Sequence, residues 1–135
     1  MEEPTRTATC ACGAVNVSAR GSPIVINACS CTDCQRRSGS AFTYTAFYAN
    51  ADVVASGALK SFRNQSEAGR SRDTFFCANC GVTMLTRLEV FPQAIGVAVG
   101  TLVDKAFSAP RTFYWAKHKH EWYSIDGLVA QNAEQ

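Results

Sequence analysis

Long apolar runs and an excess of one charge sign are both missing from this 135-residue sequence. The longest apolar stretches are far shorter than the roughly 20 residues that span a bilayer, so no membrane partner is expected. The chain has 13 basic and 11 acidic residues, and a formal net charge of only +2 argues against nucleic acid as a partner. The N-terminal Glu2 and Glu3 are acidic where a secretory leader is basic, so a cytoplasmic location is expected.

Sustained helical periodicity, internal repeats and low-complexity tracts are also missing, and the length suits one domain over residues 1–135. A period of two dominates instead, as in Phe42, Tyr44, Ala46 and Tyr48. The pattern predicts a mainly β fold of short strands with little helix. Candidate strands lie at 15–18, 23–26, 42–48, 59–62, 73–77, 82–88, 94–99 and 111–116, and helical turns are expected at 33–38, 102–107 and near Gly127.

Cysteine is the abundant residue type that stands out. The chain has seven cysteines, an odd number that cannot pair completely within one chain. In a reducing compartment, clustered thiols are more often metal ligands or redox-active groups than structural disulfides. The cysteines form three groups, which are Cys10 with Cys12, then Cys29 with Cys31 and Cys34, then Cys77 with Cys80.

Each group has a spacing that suits a metal. Two thiols one or two residues apart can chelate one ion, because a tight turn points both sulfurs inward. Gly13 and Gly81 follow the first and third groups and permit such a turn. Zinc prefers four thiolates in a structural site, whereas a site with three protein ligands leaves a position open for substrate. Seven cysteines therefore predict two zinc ions per chain, one closed and one open.

The spacing alone permits two partitions of the seven thiols. One joins Cys31 and Cys34 to the third group and leaves Cys10, Cys12 and Cys29 as the open site. The other joins the first and third groups and leaves the middle group as the open site. The second partition is preferred, because C-x-C-x-x-C places three ligands within six residues.

The complete pattern identifies a family resemblance that runs from Thr9 to Leu128. The order C-x-C-G, C-x-C-x-x-C-Q-R-R-S-G-S-A-F, F-C-x-x-C-G and a closing D-G-L resembles the glutathione-dependent formaldehyde-activating enzyme family, also called the CENP-V/GFA domain. The resemblance implies an Mss4-like β-tent of short antiparallel strands with zinc knuckles. It also implies a carbon–sulfur lyase that interconverts S-(hydroxymethyl)glutathione with glutathione and formaldehyde, with a small thiol or its formaldehyde adduct as partner.

The resemblance also implies roles for individual cysteines. The structural zinc ligands would be Cys10, Cys12, Cys77 and Cys80. The catalytic zinc would lie on Cys29, Cys31 and Cys34, with an open fourth position. Ser30 stands where members of the family often have histidine. Two alternatives to the lyase are a zinc-stabilised Mss4-like binding module without catalysis and a thiol redox protein.

Arginines next to the middle cysteine group are candidate substrate contacts. Glutathione carries two carboxylates, and Arg36 and Arg37 could each hold one through paired hydrogen bonds. In the alternative interpretation, one of these arginines is solvated and the other is tied to a local carbonyl or to Asp33. Asp33 itself is predicted to cap the following helical turn, with orientation of the thiolates as its alternative.

Two further groups have competing interpretations. The aromatic residues Phe42, Tyr44, Phe47 and Tyr48 are predicted to be core, with a pocket beside the cysteines as the alternative. The basic and aromatic segment 111–120 is predicted to be an edge strand and a solvated turn rather than a nucleic-acid surface. Its two histidines are expected to be exposed, and a fourth zinc ligand is the alternative.

Overall fold

A computed structural model describes residues 3–134, so Met1, Glu2 and Gln135 lie outside the described residues. The strands are β1 Thr5–Thr9, β2 Asn16–Arg20, β3 Val25–Cys29, β4 Thr43–Ala49, β5 Val53–Ser56, β6 Leu59–Gln65, β7 Ser71–Cys77, β8 Thr83–Leu88, β9 Ala94–Ala98, β10 Thr112–Tyr114 and β11 Ala130–Gln131. The α-helix of the described chain is α1, Thr32–Ser38, and short 3-10 turns lie at Asn50–Asp52, Val99–Leu102 and Ala116–His118.

The strands form two sheets. An eight-stranded sheet has the order β11-β10-β3-β4-β9-β8-β7-β6, and a three-stranded sheet has the order β1-β2-β5. Most neighbouring strands are antiparallel, but β10 pairs in parallel with both β3 and β11. The predicted mainly β fold with little helix is therefore confirmed, and two strand pairs depart from the expected antiparallel arrangement.

Every predicted strand is present with shifted ends, and the helical turn at 33–38 is α1. The prediction of a helical turn at 102–107 is wrong, because the 3-10 turn ends at Leu102. The prediction of a helical turn near Gly127 is also wrong, because the chain there is not helical. Strands β1, β5 and β11 were not predicted. Strand β1 buries only Ala8 among threonines and an arginine, so its sequence carries a weak apolar alternation.

The core lies between the two sheets. Alternation along β2 buries Val17 and Ala19 against the larger sheet, and alternation along β4 buries Ala46 and Tyr48 from the other side. The opposite face of β4 carries residues such as Thr45, which line a cleft. One face of the larger sheet is therefore packed, and the other is available for a ligand.

Helix α1 joins β3 to β4 and carries part of the middle cysteine group. It begins after Cys31, whose sulfur accepts a hydrogen bond from the Cys34 N–H. It ends at Gly39, whose φ of 65° lies in the left-handed region that glycine tolerates. Within the described residues, no helix has the length and apolar character needed to cross a membrane.

Candidate metal centres

The first and third cysteine groups meet where the two sheets join. Cys10 follows β1 directly, and Cys77 is the last residue of β7. The four sulfurs of Cys10, Cys12, Cys77 and Cys80 lie within 4.8 Å of one another, and we call this group the quartet. The Cys12 sulfur lies 3.6 Å from that of Cys10 and 3.7 Å from that of Cys77, too far for a disulfide, and all seven cysteines are free.

The quartet fits a zinc ion by geometry and by chemistry. Zn–S bonds of about 2.3 Å place the sulfurs of a tetrahedral site about 3.8 Å apart, which agrees with the observed spacing. Backbone N–H groups donate to the sulfurs, from Val15 to Cys10 at 3.2 Å and from Cys80 to Cys77 at 3.4 Å. Gly13 and Gly81 both have a φ of 81°, so glycine makes both knuckle turns possible. These thiols could therefore hold zinc as thiolates.

The middle cysteine group forms a second cluster, which we call the trio. Cys29 ends β3, Cys31 precedes α1 and Cys34 lies in its first turn, and the three sulfurs lie within 4.8 Å of one another. The Cys34 N–H donates to the Cys31 sulfur at 3.2 Å. Cys31 and Cys34 are buried against Trp115. Three converging thiols at zinc-like spacing make this a second group that could hold zinc.

Histidine takes no part in either cluster. Within residues 3–134, the side chains grouped for metal binding are cysteines alone. The His118 Nε2 lies 3.3 Å from a Glu67 carboxylate oxygen, and its ring stacks on Trp115 at a centroid distance of 5.7 Å. His120 is exposed. The alternative of a histidine as fourth ligand is therefore not supported.

Charged side chains surround one member of the trio. Arg72 Nη1 lies 3.3 Å from the Cys34 sulfur and 2.6 Å from Asp33 Oδ2. Arg37 Nη2 lies 3.6 Å from the same sulfur, and its Nε donates to the same Asp33 oxygen at 3.0 Å. Arg37 is fixed further by a hydrogen bond from Nη1 to the Thr74 hydroxyl at 2.6 Å. The Arg72 side chain is only 8% exposed, so its positive charge acts in a poorly solvated environment.

This environment gives the thiols of the trio different pKa values. Hydrogen bonds to Cys31 and Cys34 raise the pKa of Cys29 above its usual value. Hydrogen bonds from Cys29 and Cys31, together with the charge of Arg72, lower the pKa of Cys34. Burial alone would lower the pKa of Arg72, but the nearby thiolates and Asp33 outweigh burial and raise it. The first thiolate of the trio therefore forms at Cys34, beside a permanent cation.

The predictions for the charged residues beside the trio are only partly correct. Arg36 is exposed and Arg37 is paired with Asp33, which is the arrangement of the alternative interpretation. The prediction that Asp33 caps the helix is wrong, because the Cys31 sulfur takes that position and Asp33 binds two arginines instead. Arg72 was not predicted. It lies on β7, 38 residues from Cys34, and its only sequence signal is an arginine on the buried face of an alternating strand.

Ser30 lies inside the trio motif and is fully buried. Its hydroxyl donates to the Trp115 carbonyl at 2.8 Å, and its backbone N–H donates to the Tyr114 carbonyl at 3.1 Å. Trp115 has a φ of 59°, an uncommon value for a residue with a side chain. Ser30 therefore joins the cysteine motif to the strained segment that packs over it.

The trio opens onto a cleft of about 710 Å³, a volume typical of small-molecule sites. Cys29 and Cys34 both line it. The other lining residues are Val25, Asn27, Arg37, Ser38, Ser40, Phe42, Thr43, Tyr44, Thr45, Phe47, Arg70, Arg72, Thr83, Thr86, Leu88, Val90, Phe91, Ala98, Gly100 and Tyr114. Of the four aromatics in the sequence prediction, Phe47 and Tyr48 are buried, as predicted, and Phe47 also lines the cleft. Tyr44 packs against the core and lines the cleft as well, and Phe42 lines the cleft.

Comparison with known proteins places this arrangement in a family. A family model described as glutathione-dependent formaldehyde-activating enzyme matches residues 5–118, and the chain belongs to that family. The fold is similar to the crystal structure of a structural-genomics protein from Rhodobacter sphaeroides. That protein is 22% identical, with a TM-score of 0.55 over 76% of this chain and 90% of the other. No curated protein matches the chain significantly.

Proposed function

We propose that this protein is a zinc-dependent carbon–sulfur lyase that interconverts a thiol and formaldehyde with their thiohemiacetal. The family description names glutathione and formaldehyde, and their adduct, S-(hydroxymethyl)glutathione, is the reference substrate of the proposal. The observation that carries the proposal is the trio, which offers three thiols rather than four and contributes two of them to the wall of a cleft. The quartet, with four thiols, is the structural site in this proposal.

The ligand count sets the chemistry of the trio. A zinc ion held by the three thiolates would offer an open position at which a thiol is stabilised as the thiolate. A free thiol has a pKa near 8.5 and is only slightly ionised at neutral pH, so this stabilisation makes sulfur a better leaving group and a better nucleophile.

The charged residues beside Cys34 favour an anionic ligand. Three thiolates on a dication carry a net charge of about −1, which would repel a further thiolate. The guanidiniums of Arg37 and Arg72, less the carboxylate of Asp33, add one formal positive charge. The balance is close to zero, so an additional thiolate is not repelled by the site as a whole. Asp33 holds both arginines in place.

The reaction is a simple cleavage. The C–S bond of the thiohemiacetal breaks and its electron pair leaves with sulfur, while the hydroxyl loses its proton as the C=O bond forms. Overall, one proton passes from oxygen to sulfur. The lining of the cleft, as described for residues 3–134, contains neither a carboxylate nor an imidazole. In this proposal the hydroxyl proton passes to water, and the protein acts mainly on the sulfur.

Exchange spectroscopy tests this proposal. Zinc-loaded protein should accelerate the exchange of glutathione and formaldehyde with their adduct in NMR spectra, and Cys31→Ser should lose the acceleration. A Ser61→Ala variant changes an exposed side chain of β6 that is not among the residues lining the cleft, and it is the matched control. Metal analysis should give two zinc ions per chain in the wild type. One tightly held ion with no acceleration of exchange would instead support the binding module and contradict the lyase.

A further inference from the structure

Arg70 is a cation of the cleft whose guanidinium has no ion-pair partner among residues 3–134. It precedes β7 and shares a strand face with Arg72, two residues further on, because side chains alternate along a strand. The ion pairs found within residues 3–134 engage Arg37 and Arg72 with Asp33 and leave Arg70 out. Arg70 therefore differs from its neighbours in having a guanidinium available to a ligand.

The backbone holds Arg70 in position at the mouth of the cleft. Its N–H donates to the Ser66 hydroxyl at 3.3 Å, and its carbonyl accepts from the Ser66 N–H at 2.8 Å. The second bond, between backbone groups, continues the pairing of β6 with β7 by one more residue, and the first ties Arg70 to the Ser66 side chain. Because the main chain is fixed, binding a ligand requires ordering of the side chain alone.

The floor of the cleft changes in polarity along β3 and β4. Cys29 lies opposite Thr43, and two residues back along β3 lies Asn27, followed by Val25. Val25 lies opposite Phe47, and all of these residues line the cleft. Four residues of strand span about 13 Å, so the floor is polar near the trio and apolar about 13 Å away.

The apolar end of the cleft is built on two packed aromatic rings. The rings of Phe47 and Phe91 lie 5.7 Å apart between centroids. Gly96 on β9 lies opposite Phe47, and a Cβ added there would lie 2.9 Å from the ring and 2.6 Å from the Thr45 methyl. The absence of a side chain at Gly96 therefore lets the Phe47 ring lie close to the sheet. This surface is suited to an apolar or aromatic group.

We infer that the thiol bound in this cleft carries one acidic group, held by Arg70, and an apolar group, packed on Val25, Val90 and Phe91. The inference rests on the proposed function, in which the sulfur of the ligand is at the trio, and it defines the substrate class of that site. Glutathione, with two carboxylates and a polar body, fits the cleft less well, because Arg37 and Arg72 are occupied and the far end of the floor is apolar.

Calorimetric binding of four thiols to zinc-loaded protein tests the inference. The probes are 6-phenyl-2-(sulfanylmethyl)hexanoate, whose chain is long enough to place its terminal benzyl group at the apolar end and which we call the benzyl acid, its uncharged methyl ester, 3-sulfanylpropanoate without the benzyl group, and glutathione. The wild type should bind the benzyl acid about tenfold more tightly than the ester, as a charge-assisted hydrogen bond predicts. It should also bind that acid about tenfold more tightly than the acid without the benzyl group.

Two variants assign the charge preference to one residue. Arg70→Gln should remove the preference for the acid over the ester while leaving the affinity for the ester unchanged. Arg36→Gln removes an exposed arginine of α1 that is not among the lining residues, and it should keep the full preference. Both changed side chains are exposed, so both variants are expected to fold.

The outcomes separate the inference from the proposed function. Equal binding of acid and ester by the wild type, a preference that survives Arg70→Gln, or tighter binding of glutathione than of the benzyl acid would each overturn the inference. In those cases the thiols still bind and the proposed function stands. Failure of every thiol to bind protein with two zinc ions would refute both.

Discussion

The quartet and the trio are built from the same side chain in different surroundings. In the quartet, the sulfurs receive hydrogen bonds from backbone N–H groups, and Cys10 and Cys77 belong to the main core. In the trio, Cys34 contacts two guanidiniums, and the cluster opens onto the cleft. The quartet joins two parts of the fold, whereas the trio presents a charged and partly accessible set of thiols to a ligand.

The difference shows how one kind of ligand can serve two purposes. A metal bound by four thiolates has no position left for substrate, so its contribution is to folding. A metal bound by three can accept a further ligand, but the thiolates and the reacting sulfur then repel one another. Arg37 and Arg72 offset that repulsion at Cys34. The number of thiols and the nearby arginines therefore act together.

The largest expected effect comes from removing one thiol of the quartet. Cys77→Ser should lower the melting temperature by about 10 °C or more or abolish cooperative unfolding, because a structural zinc site contributes directly to folding. Cys31→Ser, in the trio, should retain the fold measured by far-UV circular dichroism and lose one zinc ion. Equal loss of folded structure in both variants would mean that the two clusters do not divide their roles in this way.

The next largest effect concerns the buried arginine. Arg72→Gln leaves Cys34 and part of Asp33 without a charge partner and should destabilise the protein by about 3 kcal/mol, measured by urea unfolding. In chelator competition, zinc should be lost more readily from the trio, with no change at the quartet. The control is Arg63→Gln, which breaks an exposed pair with Asp73 and should change neither measurement. Unchanged zinc affinity in Arg72→Gln would contradict a role in holding the thiolates.

A smaller effect is expected at Ser30. Ser30→Ala removes a buried hydrogen bond to the Trp115 carbonyl and should cost about 1 kcal/mol. That carbonyl also accepts from the His118 N–H at 3.1 Å, so it does not lose every partner. The emission of Trp115 should shift while the quartet keeps its zinc. A shift of the same size in Ser61→Ala would show that the tryptophan does not respond specifically to the trio.

The smallest expected effect is a difference between the two clusters in the pH at which they release zinc. Metal binding requires deprotonated thiols, so zinc is released as the pH falls. The trio offers three thiols and the quartet offers four, so the trio is expected to hold zinc less tightly. Protons should therefore displace zinc from the trio at a higher pH than from the quartet.

Fluorescence can follow this release from the trio. The chain has two tryptophans, and Trp122→Phe removes the exposed one, leaving Trp115 beside the trio as the reporter. As the pH falls, the emission of Trp115 should change before the circular dichroism signal is lost. Simultaneous change of both signals, or the reverse order, would contradict the predicted difference between the clusters.

Local sequence patterns were sufficient for much of the fold. Strands such as β4 and β9 and the short helix α1 follow from alternation and from the polar turn after the cysteines. Local patterns do not predict which strands pair with each other. The parallel pairing of β10 with β3 joins segments about 85 residues apart, and no periodicity within either segment encodes it. The extent of a single domain over residues 1–135 stays a prediction.

The sequence by itself determined the cysteine spacings, because a knuckle is a local turn made by neighbouring residues and a glycine. The number and spacing of the cysteines also predicted that they divide into one site with four thiols and one with three. Only the tertiary structure brought the Cys12 sulfur within 3.7 Å of the Cys77 sulfur and placed Arg72 beside Cys34. It also left Arg70 in the same cleft without an ion pair to any residue of 3–134. The reason is that contacts across strands depend on register and sheet order, which no single segment specifies.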